Sequence, residues 1–196
     1  YYTNNENLES SPEEFIYRYR EKELTFISDN GVFSKKMIDY GSRVLLDTIK
    51  IDSNKKSLLD VGCGYGTFGV SLKSVYPFLQ VEMVDVNERA IALSKENAVQ
   101  NHLTNTKIYP SDGLVAVRDS DFSAILTNPP IRAGKNVVFA FYEKSFAKLR
   151  TGGELWVVIQ KKQGAPSSAK HLEEIFGNVS VVAKRKGYYI LKAIKV

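Results

Sequence analysis

Apolar and polar positions alternate in two short runs near the start of the chain. In "EEFIYRYREKELTFISD", residues 13 to 29, Phe15, Tyr17 and Tyr19 recur at every second position, and Leu24 and Phe26 do the same after a polar turn. Aromatic alternation of this kind predicts a β-hairpin over about 13–30. "NGVFSKK" then supplies a glycine turn and an exit into a helix near 38–50. From Lys56 onward the pattern changes. "SLLDVG" and "QVEMVDV" are compact apolar runs, with the amphipathic "YGTFGVSLKSVY" between them. "NERAIALSKENAVQNHL" predicts a helix capped by Asn87, with Ala90, Ile91, Ala98 and Leu103 near helical spacing. "TKIYPSD" and "FSAILTN" predict further strands, and a helix over 136–149 ends at "RTGG", where two glycines permit a turn. "GELWVVIQ" is a fifth core strand, followed by a helix over 167–176. The closing "VSVVAKRKGYYILKAIKV" predicts an antiparallel hairpin turning at Lys186–Gly187.

Strands that alternate with helices predict an α/β fold, a mostly parallel sheet covered on both faces. Right-handed crossovers align the C-terminal ends of the parallel strands on one edge, and ligands bind outside those ends. The segments to search are therefore "DVGCGYG", "VDVN", "SDG" and "NPPI". A length of 196 residues allows one sizeable core, so one domain is expected over 1–196, with the α/β core at 56–196.

Composition narrows the classes. Hydrophobic residues at 43% and charged residues at 25% suit a soluble globular domain. No apolar run approaches the roughly 20 residues of a membrane span, and "YYTNNENLES" lacks a signal-peptide pattern. It also lacks an initiator Met, which implies a trimmed chain. One Cys and two His argue against a disulfide or a structural zinc site, so no metal is expected. These features imply a cytoplasmic protein, expected as a monomer. A net charge of +5 and a pI near 9.1 suit a polyanionic partner such as RNA.

In "LLDVGCGYGTFG", Gly62, Gly64 and Gly66 follow a strand and open a helix, with Cys63 inside the loop. Gly64, Gly66 and Gly69 formally match the dinucleotide fingerprint. Asp60, two residues before the first glycine, instead favours a ligand carrying a cation, as the amino group and sulfonium of S-adenosylmethionine do. Asp85 ends the next strand roughly 20 residues on, at the separation of a ribose-binding acid, with Val86 and Asn87 beside it. Asp112, followed by Gly113, ends the third strand and is placed to meet an adenine amino group. Cys63 reads as a small side chain suited to a tight loop, and His102 and His171 as surface or capping residues.

The fourth parallel strand ends in Asn128-Pro129-Pro130-Ile131. A lone Asn-Pro-Pro is a turn, but at a strand end facing an adenosyl site it suits catalysis. An exocyclic amino group is a poor nucleophile because its lone pair is delocalised into the ring. The Asn128 amide oxygen and the Pro129 carbonyl can hold both of its N–H bonds and aim the nitrogen at a methyl donor. The prolines remove competing N–H groups and stiffen the loop, and Ile131 is expected against the base face. Pre-set dipoles and positioning would supply most of the rate enhancement.

Taken with "GVFS" (Gly31 to Ser34), "DYGSRVLL", "VDVNERA" and "NPPIRAGK", the chain resembles class I S-adenosylmethionine-dependent methyltransferases. It more closely resembles the small-domain ribosomal RNA guanine-2-amino methyltransferases, the family of ribosomal RNA small subunit methyltransferase C. The resemblance implies a Rossmann-like, seven-stranded sheet whose last strand is antiparallel. It also implies that Phe33 and Ser34 lie near the cofactor and the base. The longer relatives have a second, N-terminal domain and Phe-His after the prolines; here Ile131 and Arg132 stand there, and the length implies the single-domain form. The implied partner is ribosomal RNA or the small ribosomal subunit, with Arg132, Lys135, Lys161 and Lys162 expected to meet phosphates. Two alternatives stand beside this reading. One is an amino-methyltransferase acting on adenine or on a release-factor glutamine; the other is a non-enzymatic RNA-binding module with a vestigial cofactor site.

Overall fold

The structure, a computed structural model, describes residues 8–196, so the first seven residues of the polar start lie outside it. Strands β1 (Glu13–Tyr19) and β2 (Lys22–Ser28) form the expected hairpin, with Phe15 opposite Phe26 and Tyr17 opposite Leu24. Arg20 and Glu21, at the turn, both adopt positive φ, the backbone twist that two-residue hairpin turns favour. One face of the hairpin buries Tyr19, Leu24 and Phe26. Phe26 packs edge-on against Tyr65 with ring centroids 5.7 Å apart, which seats the hairpin on the glycine loop.

The main sheet comprises β3 (Ser57–Val61), β4 (Gln80–Asp85), β5 (Thr106–Pro110), β6 (Phe122–Thr127), β7 (Leu149–Gln160), β8 (Ser180–Arg185) and β9 (Tyr188–Ile194). Its order is β5-β4-β3-β6-β7-β9-β8. The first five strands run parallel, and β9 runs antiparallel to both β7 and β8. Helices α1 (Tyr40–Thr48), α2 (Thr67–Val75) and α3 (Glu88–Gln100) share a core with the hairpin on one face. Helices α4 (Lys135–Lys148) and α5 (Ala165–Phe176) cover the other face. Strand order reverses between β3 and β6, so the switch point lies where Gly62 and Asn128 emerge. No described helix is long and apolar enough to cross a membrane.

Two boundaries differ from the sequence expectation. Strand β7 starts at Leu149 rather than Gly153, because "RTGG" forms a bulge: Phe122 pairs with Leu149, and then Ala124 pairs with Glu154. Gly153 fits only without a side chain, since a Cβ there would stand 2.8 Å from the Arg150 and Phe122 carbonyl oxygens. Helix α5 starts at Ala165, two residues early, because Pro166 is pre-set for a first helical turn.

The hairpin is held by side-chain amides that the pattern of apolar positions does not reveal. In an antiparallel pair, alternate residues point their N–H and C=O away from the partner strand. On β2 these are Thr25 and Ile27, and they meet Asn101 and Asn97 of α3 and its C-cap. Ile27 donates to Asn97 Oδ1 at 2.8 Å and accepts from Nδ2 at 2.9 Å, and Thr25 does the same with Asn101 at 3.1 and 2.9 Å. Residues four apart on a helix thus stand in for a neighbouring strand. Asn97 Nδ2 also donates to the Tyr65 carbonyl at 2.8 Å, joining hairpin, helix and glycine loop. Asn97→Ala strands three backbone groups in a buried setting. Urea unfolding should show a loss of about 3 kcal/mol or more, and a loss under about 1 kcal/mol would mean that water replaces the amide.

Candidate active site

Strand parity decides which side chains reach the crevice. On β3, Leu58 and Asp60 face the α1–α3 core, and Leu59 and Val61 face α4 and α5. Asp60 therefore occupies a position that alternation would give to an apolar residue. It is fully buried; its Oδ2 accepts from the Gly69 amide at 3.0 Å, and its Oδ1 has no partner. Burial, opposed by the Gly69 amide and reinforced by the Asp85 charge, pushes this carboxyl up to about 7. Gly69 serves packing: a Cβ there would stand 2.5 Å from the Met83 sulfur, so the glycine lets α2 lie close on β4.

Asp85, at the end of β4, organises the loop above. Its Oδ2 accepts from the Gly64 amide at 2.8 Å and its Oδ1 from the Asn87 amide at 2.9 Å. Burial raises its carboxyl, and these backbone amides oppose that rise. Asn87 caps α3 by accepting from Arg89 and Ala90, and its Nδ2 donates to the Gly31 carbonyl at 3.1 Å. Gly62, Gly64 and Gly66 all have positive φ, which keeps the loop tight enough to wrap this carboxylate. A pyrophosphate would compete with Asp85 for the Gly64 amide and sit beside two acids, so the loop suits a cationic ligand better than a dinucleotide.

Two cavities meet at Gly62 and Asp85. The larger, about 310 Å³, is lined by Val86, Asp112, Gly113, Thr127, Pro130 and Phe141, among others. The smaller, about 60 Å³, is lined by Val32, Phe33, Asp39, Ser42, Gly64 and Asn128, among others. Parity again sorts the β6 end: Thr127 opens on the larger cavity and Asn128 on the smaller.

Most of the residues singled out in the sequence converge here, and some do not. Cys63 lies in the wall of the smaller cavity, buried, with its sulfur 3.4 Å from Ser94 Oγ; burial and the two nearby acids push the thiol up, so it stays protonated. Ser34 lies behind the mouth, where its carbonyl accepts from the Tyr65 hydroxyl at 3.0 Å. Asp60 lines neither cavity. Pro129 is buried, and its carbonyl already accepts from the Ile131 amide at 2.9 Å, leaving one lone pair. Ile131 opens a 3-10 turn, Ile131–Ala133, closed by the Ala133 amide on the Pro130 carbonyl at 2.9 Å and the Gly134 amide on the Ile131 carbonyl at 3.1 Å, and lines a separate cavity of about 170 Å³ with Lys135, Phe139 and Gln163. Lys135 rests over the Phe139 ring at 5.2 Å, and Lys161 and Lys162 stand exposed in a second 3-10 turn after β7. Arg132 is exposed beside Ile131. Asp39 and Ser42 of the first turn of α1 fall within the quoted "DYGSRVLL" but have no role assigned there: a helix start gives no hint that the turn faces a crevice whose lining runs from Gly31 to Asn128.

The crevice fits an adenosylmethionine. Its larger lobe is mainly apolar with Asp112 at the rim, Asp85 stands at the waist and lines both lobes, and the smaller lobe offers Asp39 beside the glycine loop. The Asp60 Oδ1 beneath that loop has no partner among the described residues, and a cation nearby would favour the ionised form of this raised carboxyl. Among the described residues, no group of three or more His, Cys, Asp or Glu side chains is placed to hold a metal ion.

The chain is similar to known proteins in sequence and fold. The chain is 54% identical to the uncharacterized protein YbxB of Bacillus subtilis (strain 168), over 100% of this chain and 98% of that one. It is 35% identical to the ribosomal RNA small subunit methyltransferase C of Vibrio cholerae, over 90% of this chain and 51% of that protein. Among solved structures, the T. thermophilus 16S rRNA N2 methyltransferase RsmC, in complex with AdoMet and guanosine, superposes with a TM-score of 0.83 and 27% identity, over 94% of this chain and 51% of that one. The chain thus spans about half the length of these methyltransferase C relatives. The family model "Methyltransferase small domain" matches residues 23–192, and the chain belongs to that family.

Proposed function

We propose that the protein transfers a methyl group from S-adenosylmethionine to the exocyclic 2-amino group of a guanine in small-subunit ribosomal RNA. The observation that carries this reading is the placement of Asn128 on the smaller cavity, beside Phe33 and across from the glycine loop. The similarity to an enzyme solved with guanosine adds support, as does the basic charge of the chain.

The larger lobe takes the adenosine, with Asp112 near the adenine and Asp85 on the ribose, and the smaller lobe takes the amino-acid end. When bound, the cofactor supplies an electrophilic methyl carbon on a sulfonium. The residues of the chain position the acceptor. The Asn128 amide oxygen and the free lone pair of the Pro129 carbonyl accept the two N–H bonds of the amine and direct its lone pair at the methyl site. The amide oxygen also stabilises positive charge that develops on the nitrogen, a preorganised dipole of the kind that dominates many enzymatic accelerations. No strong base is required, because the nitrogen becomes acidic on taking a fourth bond and sheds its proton to water. Arg132, Lys135, Lys161 and Lys162 stand in the loops after β6 and β7, where phosphates around an extruded guanine would pass.

Asn128→Ala should lower turnover by about 10²-fold or more and leave the cofactor dissociation constant unchanged by calorimetry; wild-type turnover would remove Asn128 from the mechanism. Asp85→Ala should weaken cofactor binding by about 1.5–3 kcal/mol, and an unaltered affinity would take Asp85 out of the site. Mass spectrometry of ribosomal RNA nucleosides from cells with and without the gene should show loss of N2-methylguanosine. An unchanged profile, with methyl transfer in vitro to a release factor or to adenine instead, would overturn the guanine assignment.

A further inference from the structure

Four exposed cations, Arg43, Lys161, Lys162 and Lys186, stand on one side of the crevice mouth, none of them ion-paired to a carboxylate among the described residues. Lys161 and Lys162 occupy the turn after β7, and the Lys161 amide donates to the Gly187 carbonyl at 2.8 Å, which ties that turn to Lys186–Gly187 at the tip of β8 and β9. Gln160 pairs with Tyr188, so this tip lies at the same sheet edge as Asn128, two strands from β6 and about 10 Å across. The Tyr188 ring packs 5.8 Å from Tyr40. A Cβ on Gly41 would stand 2.6 Å from the Tyr188 ring, so the glycine brings α1 down onto the tip. Lys186 and Arg43 both rest over the Tyr40 ring, at 5.0 and 5.5 Å. None of the four cations has a described carboxylate within the 4.0 Å of an ion pair. The neighbouring Asp47 is instead paired with Arg185 at 3.9 Å.

The first turn of α1 links this ridge to the crevice. Asp39 and Ser42 line the smaller cavity, while Tyr40 and Arg43 face the ridge. Like charges held together on aromatic rests repel one another unless an anion joins them. The opposite flank has the opposite character: among the described residues the groove between the hairpin and α3 is lined by Glu13, Glu14, Asp29 and Glu96, with Arg89 near Asp29 and Lys35 near Glu13, so acids outnumber cations there. Charge therefore gives the rim a direction.

Resting on the RNA reading above, we propose that the RNA strand next to the target nucleotide leaves the crevice across the Arg43–Lys186–Lys161–Lys162 ridge, its phosphates meeting these cations. Tyr40 holds the Arg43 and Lys186 heads upright, so less side-chain freedom is lost on contact. The acidic groove repels the strand from the other side.

The test is the salt dependence of binding of a short, fluorescently labelled single-stranded RNA of mixed sequence to the full chain. The double variant R43A/K186A should reduce the slope of log affinity against log salt by about 1.4, two contacts at about 0.7 each, with cofactor affinity by calorimetry unchanged. K95A, an exposed lysine of α3 away from the ridge, should leave the slope as in wild type. If wild type binds RNA and R43A/K186A keeps the wild-type slope, the ridge is not the path and the inference fails while the RNA reading survives. If wild type binds no RNA at any salt concentration, the RNA reading itself fails, and the inference with it. A double variant that loses cofactor affinity would show that the ridge supports the crevice rather than the strand, which also overturns the inference.

Discussion

One carboxylate holds the crevice together. Asp85 accepts from Gly64 on one oxygen and from Asn87 on the other, and Asn87 reaches on to Gly31. Three segments far apart in sequence are thereby pinned to the end of one strand: the glycine loop, the start of α3 and the "GVFS" stretch. The walls around Asn128 follow from that pinning. A preorganised site needs its dipoles fixed before the substrate arrives. Here two backbone amides, which cannot rotate away as side chains can, fix Asp85, and the Asn87 side chain, held as the cap of α3, carries the link to Gly31.

Much of this was legible in the sequence because the core strands are buried on both faces and lead into Gly, Asn or Pro. β3, β4 and β6 stand out as short apolar runs, and each ends in the residue that matters: Asp60 and Gly62, Asp85, Asn128. The hairpin was equally plain, since aromatic rings at every second position suit a half-buried strand and no helical face. The role of Asn97 and Asn101 was not legible, since a polar residue on an amphipathic helix looks like a solvated position. Only the third dimension shows a strand edge lying against it. Nor could the sequence say that Ile131 turns away from Asn128. The Pro129 carbonyl takes the Ile131 amide and starts a tight turn, and side-chain identity carries no trace of that direction.

Two kinds of acid stand at these strand ends. Asp60 and Asp85 look alike in the sequence, but parity puts Asp60 beneath the loop and leaves Asp85 facing both lobes. The first tunes the electrostatics of the loop without touching its contents, and the second is available to touch them. Asp39, from outside the βα units, completes the set. The crevice thus gathers acids on its inner surface, while the rim towards β9 carries cations. On the reading proposed above, a cationic small molecule and a polyanionic strand would be drawn to neighbouring but distinct parts of one edge.

The amides along β2 have a consequence beyond docking. A two-stranded ribbon normally leaves a row of open donors and acceptors that can recruit a strand from another molecule. By meeting Thr25 and Ile27 with side chains instead of backbone, α3 ends the pairing after two strands. A helix cannot pass the pattern on to a further chain. Two asparagines thus close the β2 edge of the ribbon to edge-to-edge polymerisation and guard that edge against amyloid-like growth.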